Sequence, residues 1–226
     1  MKTFTAVLDC EGAPRGDIVW LTAEIRGSEV RLNGRPERRG LLGVYGDVRD
    51  PDRAAARLLR LAEGFEGVYL DLEGEQAAAL ARQLAPTLGR NGQTLCAPLS
   101  AHAEGAVLTV PSAVSGGSLS GLLDELIAWY GADRLCLELV RSRALFEMPS
   151  GDPDGEALTE ERLRALLSKA GTPYFSPALC ARYATFPEDG KARLILFDDR
   201  ETADAKERLA REKGLWATVR LREEWA

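Results

Sequence analysis

The segment Gly64-Phe65-Glu66-Gly67-Val68-Tyr69-Leu70-Asp71-Leu72-Glu73 constrains this chain more than any other. A helix-like stretch ends before it, glycine turns the chain, and a short apolar run delivers two carboxylates at its C-terminal edge. Side chains alternate along a strand, so Val68, Leu70 and Leu72 share one face while Tyr69, Asp71 and Glu73 share the other. The first row suits a layer of covering helices. The second directs acids inward, where a carboxylate is costly unless it is paired or hydrogen-bonded. A core strand written this way carries either a working site or the remnant of one.

The rest of the chain alternates in the same manner. Strand-like runs fall at residues 3–8, 18–25, 41–45, 68–72, 94–99, 106–110, 135–140, 192–197 and 217–221. Helix-like segments fall at 51–63, 75–88, 118–130, 159–169 and 201–213. The first opens with Asp50 as N-cap and Pro51 at the first helical position, and the last stops at Gly214. Strands alternating with helices imply βαβ units and a parallel sheet. Alternation alone is met equally by a closed barrel and by an open doubly wound sheet. Residues 27–40 are turn-rich and charged, and Val30-Arg31-Leu32-Asn33-Gly34 reads as part of a hairpin rather than a helix. No Pro-, Gly- or Ser-rich linker and no repeat divides the chain, so residues 1–226 are expected to form one domain.

The acid spacing resembles the signature strand of glycoside hydrolase family 18, the chitinase-like enzymes. Their pattern D-x-x-D-x-D-x-E follows Gly-Phe-Asp-Gly; here Glu66, Tyr69, Asp71 and Glu73 hold its four positions. The chain end is also similar. Arg193-Leu194-Ile195-Leu196-Phe197-Asp198-Asp199 leads into a helix containing Lys206, then Gly214-Leu215 and a last strand. That order resembles the branch acting on spore-cortex peptidoglycan. The resemblance implies an α/β fold, a (β/α)8 TIM-like barrel in compact or partly degenerate form, at the short end of the usual barrel length. It implies Glu73 as the acid that protonates a glycosidic oxygen. Asp71 would orient the substrate N-acetyl group, which serves as nucleophile in place of a second carboxylate. It implies no cofactor, and peptidoglycan or chitin fragments as ligands. The chain departs from the pattern at Tyr69, which replaces an Asp. It departs again at Leu221, where active members carry a Trp, and in lacking a Tyr-Asp pair on strand six. Tyr45, Tyr174 or Tyr183 would have to stand in for the missing tyrosine.

Barrel enzymes place their chemistry at the C-terminal ends of the strands. The residues expected there are Asp9, Cys10 and Glu11 after strand one, Asp47 after strand three and Asp71 and Glu73 after strand four. Glu138 and Arg141 are assigned to strand six, and Asp198 and Asp199 to the late strand. Tyr69, Tyr45, Asp9, Glu138 and Trp216 are the substrate-binding candidates, with Trp20 a further ring for sugar stacking. Simpler readings stand beside these. Glu73 can cap the helix near Glu75, Asp71 can pair with an arginine such as Arg141, and the tryptophans can be core. Ser115-Gly116-Gly117-Ser118 can cradle an anion, but a tight loop with Ser118 as N-cap explains it as well. Asp9 with Glu11, and Asp198 with Asp199, could bind a hard cation, although solvated loop ends account for such pairs; no metal is assigned.

The remaining exclusions are compositional. His102 is the only histidine, which removes histidine triads and His-rich metal sites. Cys10, Cys96, Cys136 and Cys180 form no C-x-x-C pair and read as buried free thiols. The net charge of -6 argues against a nucleic-acid partner. No long apolar run marks a signal peptide or membrane span, which points to a cytoplasmic or spore-associated protein. Two functions follow: a glycosidase-like enzyme using Glu73 and Asp71, or an inactive barrel that binds a glycan or a protein partner.

Overall fold

The computed structural model describes residues 1–150 and 152–225. The chain begins with β1 (Lys2–Val7), β2 (Ile18–Gly27), β3 (Glu29–Leu32), β4 (Leu41–Val48), α1 (Pro51–Leu61), β5 (Gly67–Asp71) and α2 (Glu75–Arg90). Next come β6 (Thr94–Pro98), β7 (Val107–Pro111), α3 (Leu119–Tyr130), β8 (Leu135–Glu138), β9 (Arg143–Met148), β10 (Glu156–Ala157) and α4 (Glu160–Ala170). It closes with β11 (Tyr174–Ser176), β12 (Ala181–Glu188), β13 (Lys191–Phe197), α5 (Arg200–Glu212), β14 (Ala217–Leu221) and α6 (Arg222–Trp225). These elements form two compact units. The first holds Met1–Val110, Tyr130–Glu138 and the segment from Gly214; the second holds Pro111–Trp129 and Leu139–Lys213.

The first unit is a closed barrel. Eight strands follow one another around the ring in the order β1, β14, β8, β7, β6, β5, β4, β2. Closure falls on β1, which pairs in parallel with β14 through Phe4↔Val219 and with β2 through Ala6↔Val19. The resemblance to a TIM-like barrel therefore holds, and the open sheet does not. Units are abbreviated where the sequence lacks helical periodicity. No α-helix joins β1 to β2 or β6 to β7, and an antiparallel hairpin with β3, paired through Ile25↔Val30, stands between β2 and β4.

Alternation along the strands sorts the core into two layers. Phe4, Ala6, Val19, Leu21, Leu41, Tyr69, Cys96, Cys136 and Val219 pack together inside the ring. Val7, Trp20, Leu42, Val44, Val68, Leu70 and Leu72 pack outward with helix residues. Helix α1 supplies Ala54, Ala55 and Leu58 to that outer layer, and α2 supplies Ala77, Leu80, Ala81, Leu84 and Leu88. Both present one apolar stripe, the periodicity that the sequence shows. Asp50 caps α1 as expected, its Oδ1 accepting from the Arg53 N–H at 3.0 Å. Gly67 is fixed by strand approach: a Cβ there would lie 2.0 Å from the Thr94 carbonyl oxygen across the β5–β6 pairing.

The second unit is built on an antiparallel sheet in the order β10, β9, β13, β12, β11. Leu145, Phe186, Ile195 and Phe197 from the sheet pack with Leu163 and Leu166 of α4. Residues 192–197, read from the sequence as a late strand of the α/β alternation, are instead the middle strand of this sheet, paired with both β12 and β9. Charged residues interrupt the apolar pattern of β9 and β12, so neither gave a strand signal. Helix α5 begins on a capping box in which Asp199 and Thr202 satisfy each other's backbone N–H groups. One turn on, Lys206 forms an ion pair with Asp198 at 2.7 Å, both side chains 1% exposed. The Thr202 hydroxyl and the Ser142 N–H also donate to Asp198, at 2.8 and 3.0 Å. The two acids of the strand tip are thus spent on structure, one as a buried counter-ion and one as a helix cap. At the start of α3, the Ser118 hydroxyl accepts from the Gly121 N–H at 3.2 Å, the capping role that the tight-loop reading gives it. No helix among the described residues is long and apolar enough to cross a membrane.

Removing one partner of a buried ion pair strands the other charge, at about 3–5 kcal/mol. Lys206→Met should lower unfolding stability by that order in urea titrations. Gly67→Ala must push β5 from β6 and should cost about 1–3 kcal/mol in the same assay, the range for overpacking.

Candidate active site

The site grows from β5. Tyr69 points into the barrel, 4% exposed, and its hydroxyl donates to Glu138 Oε1. Asp71 ends the strand on the same face and is exposed at the C-terminal rim. Leu72 turns back to the outer layer, so the alternation continues past the strand and carries Glu73 to the side of Asp71. Gly74 then starts α2 at φ 88°, ψ 179°, backbone that favours glycine, and no side chain caps the helix there. Glu73 is therefore not the cap of α2. Among the described residues neither Glu73 nor Asp71 has a side-chain hydrogen bond or an ion pair. Arg141, weighed as a partner for Asp71, pairs with Glu160 at 3.4 Å.

Glu138 is the last residue of β8, the seventh ring strand counted from β1 rather than the sixth. It is partly buried and its one hydrogen bond is from Tyr69. Withdrawal from water raises its pKa above the ordinary 4.5; the Tyr69 bond opposes the rise, and Asp71, Glu224 and Glu73 add to it. Asp71 is raised above 3.8 first by loss of water and then by the charge of Glu73. Its surface faces solvent, yet the barrel rim around it displaces enough water for the neutral form to gain. Tyr69 is pushed well above 10 by burial and by the Glu138 carboxylate. These directions agree: the lumen and its rim disfavour negative charge, and three carboxyls crowd there.

The other expected residues divide. Tyr45 lies beside Asp71 in the β4–β5 register, and its hydroxyl accepts from Asn33 Nδ2 at 2.8 Å. Asp9 follows β1 at the same end of the barrel, its Oδ1 accepting from the Glu11 N–H at 3.0 Å in a local turn. Trp216 stands apart from the acids. It precedes β14, at the N-terminal end of the strands, and stacks on Phe4 with centroids 5.5 Å apart. Trp20 lies in the outer layer and donates its indole N–H to the Arg39 carbonyl at 2.9 Å. Leu221, at the C-terminal end of β14, packs against the lumen cluster. Tyr174 and Tyr183 form a ring pair at 5.8 Å within the second unit. Cys96 and Cys136 are free thiols in the lumen, and burial pushes both upward. Among the described residues no group of three or more His, Cys, Asp or Glu is arranged to hold a metal.

One contributor went unread in the sequence. Glu224 sits on α6, directly after the last barrel strand, and its charge acts on Glu138. An acid one helical turn past a barrel strand's C-terminal end was the available signal.

No family profile and no curated protein matches the chain in sequence. Its fold does have solved counterparts. The spore cortex-lytic enzyme SleL of Bacillus megaterium superposes with a TM-score of 0.66 at 10% identity, over 100% of this chain and 71% of that one. A chitinase of Chromobacterium violaceum gives 0.65 at 14% identity, over 97% and 93%. A putative sporulation-specific glycosylase of Bacillus subtilis gives 0.63 at 11%, over 92% of both chains. The likeness is one of fold: this chain has the barrel architecture of those enzymes.

The Asp71 shift fixes a sign. A folded-state pKa above the ordinary value means that the folded state holds the proton more tightly. That stabilisation is present below 3.8 and is lost as pH rises through the raised value. Asp71→Asn cannot ionise, so its melting temperature relative to the unchanged protein should rise between pH 3 and pH 7 in calorimetry.

Proposed function

We propose that this protein is a glycoside-hydrolase-like barrel acting on N-acetylated glycans, peptidoglycan or chitin fragments, with Glu73 as general acid. The observation that carries this reading is the Asp71–Glu73 pair: two carboxyls on one face at the C-terminal rim of a closed barrel, held by no cation among the described residues. Neither carboxyl is engaged by another side chain of the described residues, so both are open to a ligand. The fold shared with cortex-lytic and chitinolytic enzymes supports the same substrate class.

In this scheme the sugar binds across the rim with its acetamido group toward Asp71. The Asp71 carboxylate accepts a hydrogen bond from the amide N–H and turns the carbonyl oxygen toward the anomeric carbon. Glu73 gives its proton to the glycosidic oxygen as the C–O bond breaks, and the acetamido oxygen bonds to the anomeric carbon. Water then opens that ring and returns a proton to Glu73. In the same scheme Tyr45, next to Asp71 across the strand pairing, binds the sugar. The cortex-lytic counterparts make the spore a fitting location.

One observation favours a second reading, a barrel that binds its glycan or a protein partner without cleaving it. Tyr69 fills the lumen below Asp71 and is tied to Glu138, and Leu221 adds an apolar side chain where the strands end. Hydrolysis of a fluorogenic N-acetylglucosamine oligomer and of spore-cortex fragments separates the two. Turnover should fall about 10²–10⁴-fold in Glu73→Gln, the range for a lost general acid. Binding of the oligomer without turnover, measured by calorimetry, would select the second reading. Neither binding nor turnover by folded protein would defeat both.

A further inference from the structure

Beside Asp71 the rim carries a polar group that the ring alone does not build. In parallel register Glu24 of β2 stands beside Tyr45 of β4, and Tyr45 stands beside Asp71 of β5. Register partners in a parallel sheet point to the same side, so the three form one row with the tyrosine between two carboxyls. A phenol has a single proton to donate. Left to itself, Tyr45 could turn that proton to either neighbour.

The hairpin removes the choice. Strand β2 bulges at Thr22, where its register with β4 shifts between Leu21 and Ala23. The Thr22 carbonyl accepts from the Asn33 N–H at 2.7 Å, which pins the chain just past β3. Gly34 follows at φ 80°, backbone that favours glycine, and a Cβ there would lie 3.0 Å from the Cys10 sulfur. Held in this way, the Asn33 side chain meets both residues beside it. Its Nδ2 donates to the Tyr45 hydroxyl at 2.8 Å, and the same side chain hydrogen-bonds Glu24. Arg26 Nε donates to Glu24 at 2.7 Å. The Arg26 bond and then the Asn33 bond favour the ionised form of Glu24 against its loss of water. An ionised carboxyl only accepts, so the amide must present its NH2 end to this corner. The Tyr45 oxygen is therefore an acceptor on the Glu24 side. Among the described residues no side chain receives the Tyr45 proton.

We infer that Asn33 is a positioning residue for Tyr45: by occupying Glu24 and donating to the phenol oxygen, it turns the Tyr45 O–H to the Asp71 side of the rim, where it donates to an oxygen of the bound sugar. The inference rests on the glycan reading for its ligand, though not for the direction of the hydrogen bond. Asn33 belongs to the hairpin and not to the ring, so an element that barrel closure does not need sets a donor at the site.

The test reads that direction. Asn33→Asp keeps the size of the side chain and puts an acceptor where the donor was, so it captures the Tyr45 proton. Asn33→Ala removes the donor and captures nothing. Asn33 is exposed, so both variants keep the fold. In protein carrying ¹³C-labelled tyrosine at pH 7, the Tyr45 Cζ resonance should move downfield in Asn33→Asp, because a phenol donating to a carboxylate gains phenolate character. It should move less in Asn33→Ala. In calorimetry with the N-acetylglucosamine oligomer, Tyr45→Phe and Asn33→Asp should each weaken binding about 2–10-fold, the range for one hydrogen bond. In the Tyr45→Phe background Asn33→Asp should cost nothing more, since no proton is left to capture. Additive losses would mean that Asn33 acts on the sugar or the fold by itself, and would overturn the inference. A Tyr45 resonance that stays in place in Asn33→Asp would overturn it equally. An oligomer that binds none of the proteins counts against the glycan reading alone, and the resonance then decides the role of Asn33.

Discussion

The ring of parallel strands governs the rest of the barrel unit. Once β1 pairs with β14 on one side and β2 on the other, the ring of eight strands is closed, and each ring residue must face either the lumen or the outer layer. That binary choice decides the chemistry. Val68, Leu70 and Leu72 go to the outer layer, and the three residues between and after them go to the lumen and its mouth. A hydroxyl deep in such a lumen needs a local partner, and Tyr69 finds it across the ring in Glu138. The acids above are placed by the same alternation, at the depth where the wall ends and solvent begins. Position along one strand thus separates a buried bond from an exposed pair.

The sequence allowed the barrel to be read where its period was clean. All eight ring strands fell on predicted apolar runs, and α1 and α2 on predicted helical stripes, because burial on both faces or on one stripe leaves a strong pattern. Closure was not in that pattern; it came from the resemblance on residues 66–73 and 193–221. The antiparallel sheet escaped. Charged residues interrupt β9 and β12, and pairings such as Leu194↔Phe146 join residues far apart in sequence, where local propensity says nothing. Lys206 shows the same limit from another side. A lysine inside a helix reads as surface, and only tertiary structure shows it buried against Asp198.

At the site, the sequence supplied identities and the fold supplied company. Tyr69 stood out in the sequence as a departure from an acidic pattern. In the barrel it is the donor that ties β5 to β8, a bond spanning positions 69 and 138 that no spacing rule would find. Trp216 was singled out for its ring, yet strand polarity places it at the end of β14 remote from the acids. Whether a residue stands before or after a barrel strand mattered more than its type.

The lumen also contains two thiols. Cys96 and Cys136 are almost wholly enclosed by the closed ring, unpaired, and held in their protonated form by the same lack of water that acts on Glu138. A thiol in that state reacts with nothing while the wall is intact. Any excursion that parts neighbouring strands admits both solvent and reagent at once. The barrel therefore carries its own gauge of breathing: the rate at which its interior sulfurs become modifiable counts how often the ring comes open.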